Sequence, residues 1–337
     1  MKRFFDTVKN TVKGKNWREV SLFKKWTIKN MVMVAILIAI SVSFTIVVAQ
    51  ILPVVNLPTY KFSFIGLPVK IAGFIFGPVV GVFVGIISDL LSLLFIPPAG
   101  YNPMYTVATA LNGFVSGLLG IYFNQILKTA FSKEFRLQRI GQKLSILAME
   151  YLQFKANGEI KKAEKSAMKM IKLNNKKKYI DQLASDNYLK NIYLITAIVL
   201  LLVVIASVAW FISAASPEAI EKGIIKNRWV LLGLMSTGTS LMIFFVLFGR
   251  FFFKTETFLS LVPIVVFCAF LELVNVPVLA YADLISLGNG EQKDIFFWIT
   301  QHILTGPVKI WFNTLVIYYT YGIISKLINK NSNLSYR

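Results

Sequence analysis

Of the 337 residues, 56% are hydrophobic and 15% charged, and the charges fall in blocks separated by long runs that hold none, which argues against a water-soluble globule. Four such runs, residues 30–60, Leu90–Gln125, Asn191–Pro217 and Trp229–Gly249, can each cross a hydrocarbon core about 30 Å thick, and all are apolar on every face, where a β-barrel strand would alternate. The net charge of +20 does not read as a nucleic-acid footprint, because 24 of the 36 Lys and Arg lie in Met1–Asn30 and Lys128–Lys190, beside spans, where they mark the cytoplasmic side and meet anionic lipid.

In chain order, residues 1–30 interleave nine basic residues with Phe4, Phe5, Trp17, Phe23 and Trp26, the pattern of an amphipathic segment lying on the cytoplasmic membrane surface. Residues 31–128 form a four-span block. The first span is about Asn30–Leu52, ended by Pro53, and a polar loop, Val54–Lys61, follows. A second helix, about Phe62–Phe76, turns at Gly77-Pro78 into a third, Val79–Phe95; a turn at Pro97-Pro98-Ala99-Gly100 leads to a fourth, Pro103–Leu127. Residues 129–189 are polar with helical periodicity and a lysine-rich second half, a cytoplasmic helical insertion. Residues 190–256 read as an additional transmembrane hairpin. The last two spans occupy 257–326, around a loop containing Gly288-Asn289-Gly290, and a short cytoplasmic tail, 327–337, ends the chain. The fold class is thus all-α: a polytopic membrane helix bundle of about eight spans in the cell membrane, with 29 of the 36 basic residues and both termini on the cytoplasmic side.

Charged groups inside spans are costly and usually face a cavity or a partner. Lys70, Asp89, Glu272 and Lys309 are such groups, with Asn112, Asn275, Gln301, His302 and Asn313 as polar companions. Most of them fall in the outer half of the proposed topology, so a pocket opening outward would use them. The alternative is mutual pairing, for instance Lys70 with Asp89. Tyr101, Tyr105, Trp298 and Trp311 read as interfacial anchors, with stacking on a flat ligand as the alternative. Small residues recur four apart in Ala35, Ala39 and Ser43, in Gly77, Gly81 and Gly85, and in Gly113 and Gly117, which suits close helix packing. Enzyme signatures are absent: there is no phosphate-binding glycine loop, nucleophile elbow or zinc-binding His-Glu helix, so no catalytic residue and no cofactor is expected. With one Cys268 and one His302, no disulfide framework, thiolate cluster or multi-histidine metal site is expected either.

The stretch Leu67-Pro68 to Leu91, with Gly73, Gly77-Pro78, Gly81, Gly85 and Ser88-Asp89, resembles the membrane-embedded substrate-binding subunit, the S component, of energy-coupling-factor (ECF) vitamin transporters. Pro97-Pro98-Ala99-Gly100-Tyr101-Asn102-Pro103 and Ala110-Leu111-Asn112-Gly113 to Gly120 continue the resemblance, and within that family these motifs are most similar to the folate-specific branch. The resemblance covers Asn30–Lys128 well and Thr257–Lys326 loosely, through Gly306-Pro307. Two departures stand out: residues 129–256 have no counterpart in the pattern, and Phe297-Trp298-Ile299 stands where the folate branch carries an arginine.

The resemblance implies a six-helix core that captures a vitamin in an outward pocket closed by loops such as Val54–Lys61 and Pro97–Asn102, then topples against a coupling subunit driven by two ATPases. Ala35, Ala39 and Ser43 would dock on that subunit. Lys70, Asp89, Tyr101, Asn102, Tyr105, Asn112, Glu272, Asn275, His302 and Lys309 are the candidate vitamin-binding residues. A carboxylate such as Asp89 or Glu272 could accept the paired N–H donors of a folate pterin, and Lys70 or Lys309 could meet its glutamate tail. An S component for another vitamin, such as riboflavin, is the alternative. A self-sufficient secondary transporter would show inverted repeats, and none is visible. A membrane-embedded enzyme or assembly factor is the third class.

Overall fold

The structure is a computed structural model that describes residues 28–51, 66–95, 102–182, 187–287 and 294–332, and among them every regular element is helical. Helices are what a charge-free segment must form in lipid, because no water is present to satisfy backbone groups. The chain is an all-α, polytopic membrane helix bundle. The amphipathic segment expected in 1–27, the loop at 54–61, most of the turn at 97–102 including Tyr101, and the loop at 288–290 lie outside the described residues.

Helix α1 (Ile28–Ile51) is followed by α2 (Leu67–Phe76) and α3 (Pro78–Phe95). Pro68 starts α2 where its missing N–H costs nothing. Gly77 ends it with φ 101°, a backbone conformation that a side chain would strain, so the tight turn into α3 requires glycine. Helix α4 (Pro103–Ile121) is capped by the Asn102 side chain, which accepts from the Met104 N–H at 3.0 Å. It continues through a π-helical turn, Tyr122–Leu127, into Lys128–Phe131. Then come α5 (Lys133–Ala156), α6 (Ile160–Gln182), α7 (Asn187–Ala214), the short α8 (Pro217–Glu221), α9 (Arg228–Phe252), α10 (Thr255–Leu287) and α11 (Ile295–Ser332).

Six of these helices are long and apolar enough to cross a membrane: α1, α3, α4 with its extension, α7, α9 and α10. The other two expected spans differ. Helix α2 has ten residues, about 15 Å of rise, or half a hydrocarbon core. Helix α11 is long enough at 38 residues but carries Gln301, His302, Lys309 and Asn313, which lower its apolarity.

The chain divides into two compact units. Among the described residues, the smaller comprises Phe123–Tyr193. Its core is the α5–α6 hairpin, turned at Gly158 with φ 72° and closed inside by Ile140, Ala163 and Ile180. Ser132 caps α5 by accepting from the Phe135 N–H, and the Tyr193 hydroxyl donates to the Phe123 carbonyl at 2.7 Å.

The larger unit holds residues 28–122 and 194–332. Helices α2, α3 and α4 meet backbone to backbone: a Cβ on Gly81 would strike the Gly113 carbonyl, and one on Gly85 would stand 2.7 Å from the Thr109 oxygen. The glycine stripes of α3 and α4 are therefore packing surfaces for one another. Helix α10 lies against α4 and α11, and Phe74 of α2 meets Phe267 and Tyr321 at 5.1 and 5.2 Å between ring centres. The additional hairpin shares this core: Val208 and Ile212 of α7 and Leu231 of α9 are buried with Val276, Ala280, Trp298, Ile299 and Ile303. Thr300 also accepts from the Ile224 N–H of the hairpin loop at 2.9 Å.

Candidate functional site

One face of α10 carries Cys268, Glu272, Asn275 and Asp283, which rise over about 22 Å with Leu279 between the last two. Helix α11 answers with His302, Gly306, Lys309 and Asn313, at the same helical spacing. Helices α2 and α4 close the seam with Lys70, Tyr105 and Asn112.

At one end Asp283 is the hub. The Tyr105 hydroxyl donates to its Oδ1 at 2.6 Å, and His302 Nε2 stands 2.8 Å from its Oδ2. Both Asp283 and His302 are 1% exposed. A carboxylate only accepts, so Nε2 carries the hydrogen of that contact. Beside this hub the Asn102 amide donates to the Ala282 carbonyl at 2.9 Å and to Ser286 Oγ at 2.8 Å. Asn102 thus caps α4 with its oxygen and ties it to the end of α10 with its nitrogen.

Further along, Asn275 Nδ2 donates to Asn112 Oδ1 at 2.6 Å, while Asn275 Oδ1 is buried with no hydrogen-bond partner among the described residues. Next come Lys70 and Lys309, both buried; the electrostatic neighbours of Glu272 are Lys309, His302 and Lys70. Gly306 makes room for the Glu272 carboxylate, whose Oε1 would stand 3.0 Å from a Cβ there. Two amine side chains face one carboxylate at this level. Lys70 also has Cys268 as an electrostatic neighbour, and Cys268 is in hydrogen-bond contact with Thr314.

The structure thus brings eight of the candidate residues, Lys70, Asn102, Tyr105, Asn112, Glu272, Asn275, His302 and Lys309, along one buried seam. Asp89 does not join it. Its carboxylate accepts from the Thr106 hydroxyl at 2.5 Å. The alternative Lys70–Asp89 pairing is not formed, because α2 and α3 run in opposite directions from Gly77. Lys70 lies about 10 Å from that turn and Asp89 about 18 Å, at different depths. Trp298, expected as an anchor, is buried among α7, α9 and α10 because the additional hairpin covers it. Ala35, Ala39 and Ser43 lie together on the exposed face of α1, while Val34, Leu37, Ser41 and Val42 are buried. Asp283, which joins Tyr105 to His302, was outside the expected set; its signal is the eleven-residue interval from Glu272, three helical turns on the same face.

No cluster of His, Cys, Asp and Glu among the described residues could hold a metal ion. The family model of the ECF-type riboflavin transporter S component matches residues 25–149, a little over a third of the chain. No curated protein and no solved structure matches the chain.

Proposed function

We propose that this chain is the substrate-binding S component of an ECF-type vitamin importer, that its pocket lies along the α2–α4–α10–α11 seam, and that riboflavin is its ligand. The observation that carries the reading is the seam itself: six buried or half-buried polar side chains, Lys70, Asn112, Glu272, Asn275, Asp283 and His302, gathered within membrane helices. Helix packing alone gives no reason to place such groups in lipid. The description of the matched family supports riboflavin. So does the Asn112–Asn275 pair, whose open carbonyl oxygen suits the imide N–H of a flavin ring.

Folate is the second reading, favoured by a different observation: two ammonium groups, Lys70 and Lys309, are electrostatic neighbours of Glu272, and an ammonium is the group that meets a ligand carboxylate. In either case Ala35, Ala39 and Ser43 form the face that meets the coupling subunit, and the module supplies ATP hydrolysis.

The experiment is mass spectrometry of small molecules retained through purification of the full chain, followed by titration of the emptied protein with riboflavin, read by flavin fluorescence, and with folate. Riboflavin recovered and quenched on binding is the expected result. Asn275→Ala should weaken it by roughly tenfold, the cost of one buried hydrogen bond. Folate recovery instead moves the choice to the second reading. Failure to bind either, together with failure to bring down a coupling subunit and an ATPase pair, ends the S-component assignment.

A further inference from the structure

The smaller unit carries a half-open cavity of about 310 Å³ that the vitamin-binding seam does not use. Four of its lining residues are cationic, Arg136, Arg139 and Lys143 from α5 and Lys176 from α6, and no carboxylate lines it among the described residues. Asp181, the acidic residue of the end of α6, is engaged elsewhere by Lys133 at 3.9 Å. Phe131 and Tyr188 close the cavity, their rings 6.3 Å apart, and the Arg136 guanidinium lies 3.9 Å over the Tyr188 ring. That contact holds the guanidinium over the ring, and a guanidinium can form paired hydrogen bonds with an oxyanion through its N–H edge.

We infer that this cavity binds the phosphate headgroup of an anionic phospholipid. Three observations carry the inference. The lining is cationic with an arginine already oriented, which is the chemistry that recognises a phosphate diester or monoester. The volume suits a glycerophosphate head rather than a bare ion. Finally, Phe131 ends the helical stretch that begins at Pro103 and is free of charge as far as Gln125, and Tyr188 precedes the charge-free run Asn191–Pro217. Along the chain the two aromatics that line the cavity thus lie within about two helical turns of an apolar run, the sequence position that aromatic anchors take beside lipid headgroups. A free phosphoester would use the same groups, so the test separates the two sources.

Full-length protein in a neutral detergent, at about 0.15 M salt to screen diffuse attraction, is titrated with dioctanoyl phosphatidylglycerol, dioctanoyl phosphatidylcholine and glycerol 3-phosphate. Binding is read by thermal unfolding, since a ligand of the folded state raises its midpoint. Phosphatidylglycerol should bind roughly tenfold or more tighter than the other two. The variant Arg136→Gln/Arg139→Gln/Lys143→Gln/Lys176→Gln should lose that preference. A variant removing four exposed lysines outside the cavity, Lys155→Gln/Lys165→Gln/Lys169→Gln/Lys172→Gln, should keep it. Should the cavity variant not fold, Arg136→Lys decides: it retains the charge, loses the paired edge, and should weaken phosphatidylglycerol several-fold. Equal loss in both quadruple variants, or no effect of Arg136→Lys, overturns the site in favour of diffuse charge. Glycerol 3-phosphate binding as tightly as the lipid overturns the lipid occupant and assigns a soluble phosphoester.

Discussion

At the scale of single residues, Asp283 concentrates the most dependence. It accepts from Tyr105 and His302 at once, at 1% exposure, so removing it strands two buried polar groups. Asp283→Ala should cost about 2–6 kcal/mol, about 1–3 for each of the two buried groups left unsatisfied, measured by chemical unfolding in detergent. Tyr105→Phe removes one hydrogen bond and leaves the Asp283–His302 contact, so about 1 kcal/mol is expected. The four charged positions Lys70, Asp89, Glu272 and Lys309 were legible because a charge stands out in an apolar run. Asp283 was not, because it stands where the apolar run gives way to polar residues, whereas α10 continues to Leu287 and keeps Asp283 in register with Glu272. Asp89 illustrates the opposite failure. Its position in a span is correct, but the partner is a threonine on α4, and hydroxyls carry no sequence signal for pairing.

At the scale of helices, the contact of α3 with α4 leaves no room for growth. Gly113→Ala places a methyl group against the Gly81 carbonyl, and the helices must part; a loss of about 1–3 kcal/mol is expected, read as a lower unfolding midpoint. Gly233→Ala on α9 meets nothing within 4 Å and should be neutral or slightly stabilising. The start of α11 offers a pH-dependent case outside the spans. The Lys222 ammonium, 2.9 Å from Asp294, and the N–H groups of Ile295 and Phe296 hold the Asp294 carboxyl below the ordinary carboxylate range. A depressed carboxyl contributes stability above its unfolded value, near pH 4, and loses it as pH falls through the lower folded value. The acid limb of a stability profile should therefore flatten in Asp294→Asn relative to the parent chain. The glycine-rich turn at Gly77-Pro78 and the proline-led start of α4 were readable because their backbone chemistry is local. The π-helical turn at Tyr122–Leu127 and the brevity of α2 arise from packing, and composition does not encode them.

At the scale of the whole molecule, the additional hairpin proves to be part of the larger unit, since α7 and α9 share a buried cluster with α10 and α11. The sequence marked the hairpin as apolar and membrane-spanning, but not what its inner face touches, because continuous apolar runs do not say which side is covered. The exposed Ala35, Ala39 and Ser43 face tests the proposed assembly. Ala35→Trp/Ala39→Trp adds bulk to a surface turned away from the seam, so the purified chain should still bind riboflavin while a coupling subunit no longer co-purifies and uptake falls to background. Retained uptake would remove that face from the docking role.

The seam joins residues far apart in the chain, and this has a consequence for synthesis. Tyr105 and Asp283 are separated by 178 positions. At translation rates of about 5–20 residues per second, Tyr105 leaves the ribosome roughly 10–35 s before its acceptor exists. Asp89 waits only 17 positions for Thr106, and the glycine contacts of α2, α3 and α4 are complete as soon as α4 is made. The nascent chain therefore carries a closed three-helix block with one open polar face through the whole production of α5 to α9. In that interval Lys70, Tyr105 and Asn112 must be shielded by lipid headgroups, water or an insertase, which makes the delay before α10 emerges the vulnerable step in its biogenesis.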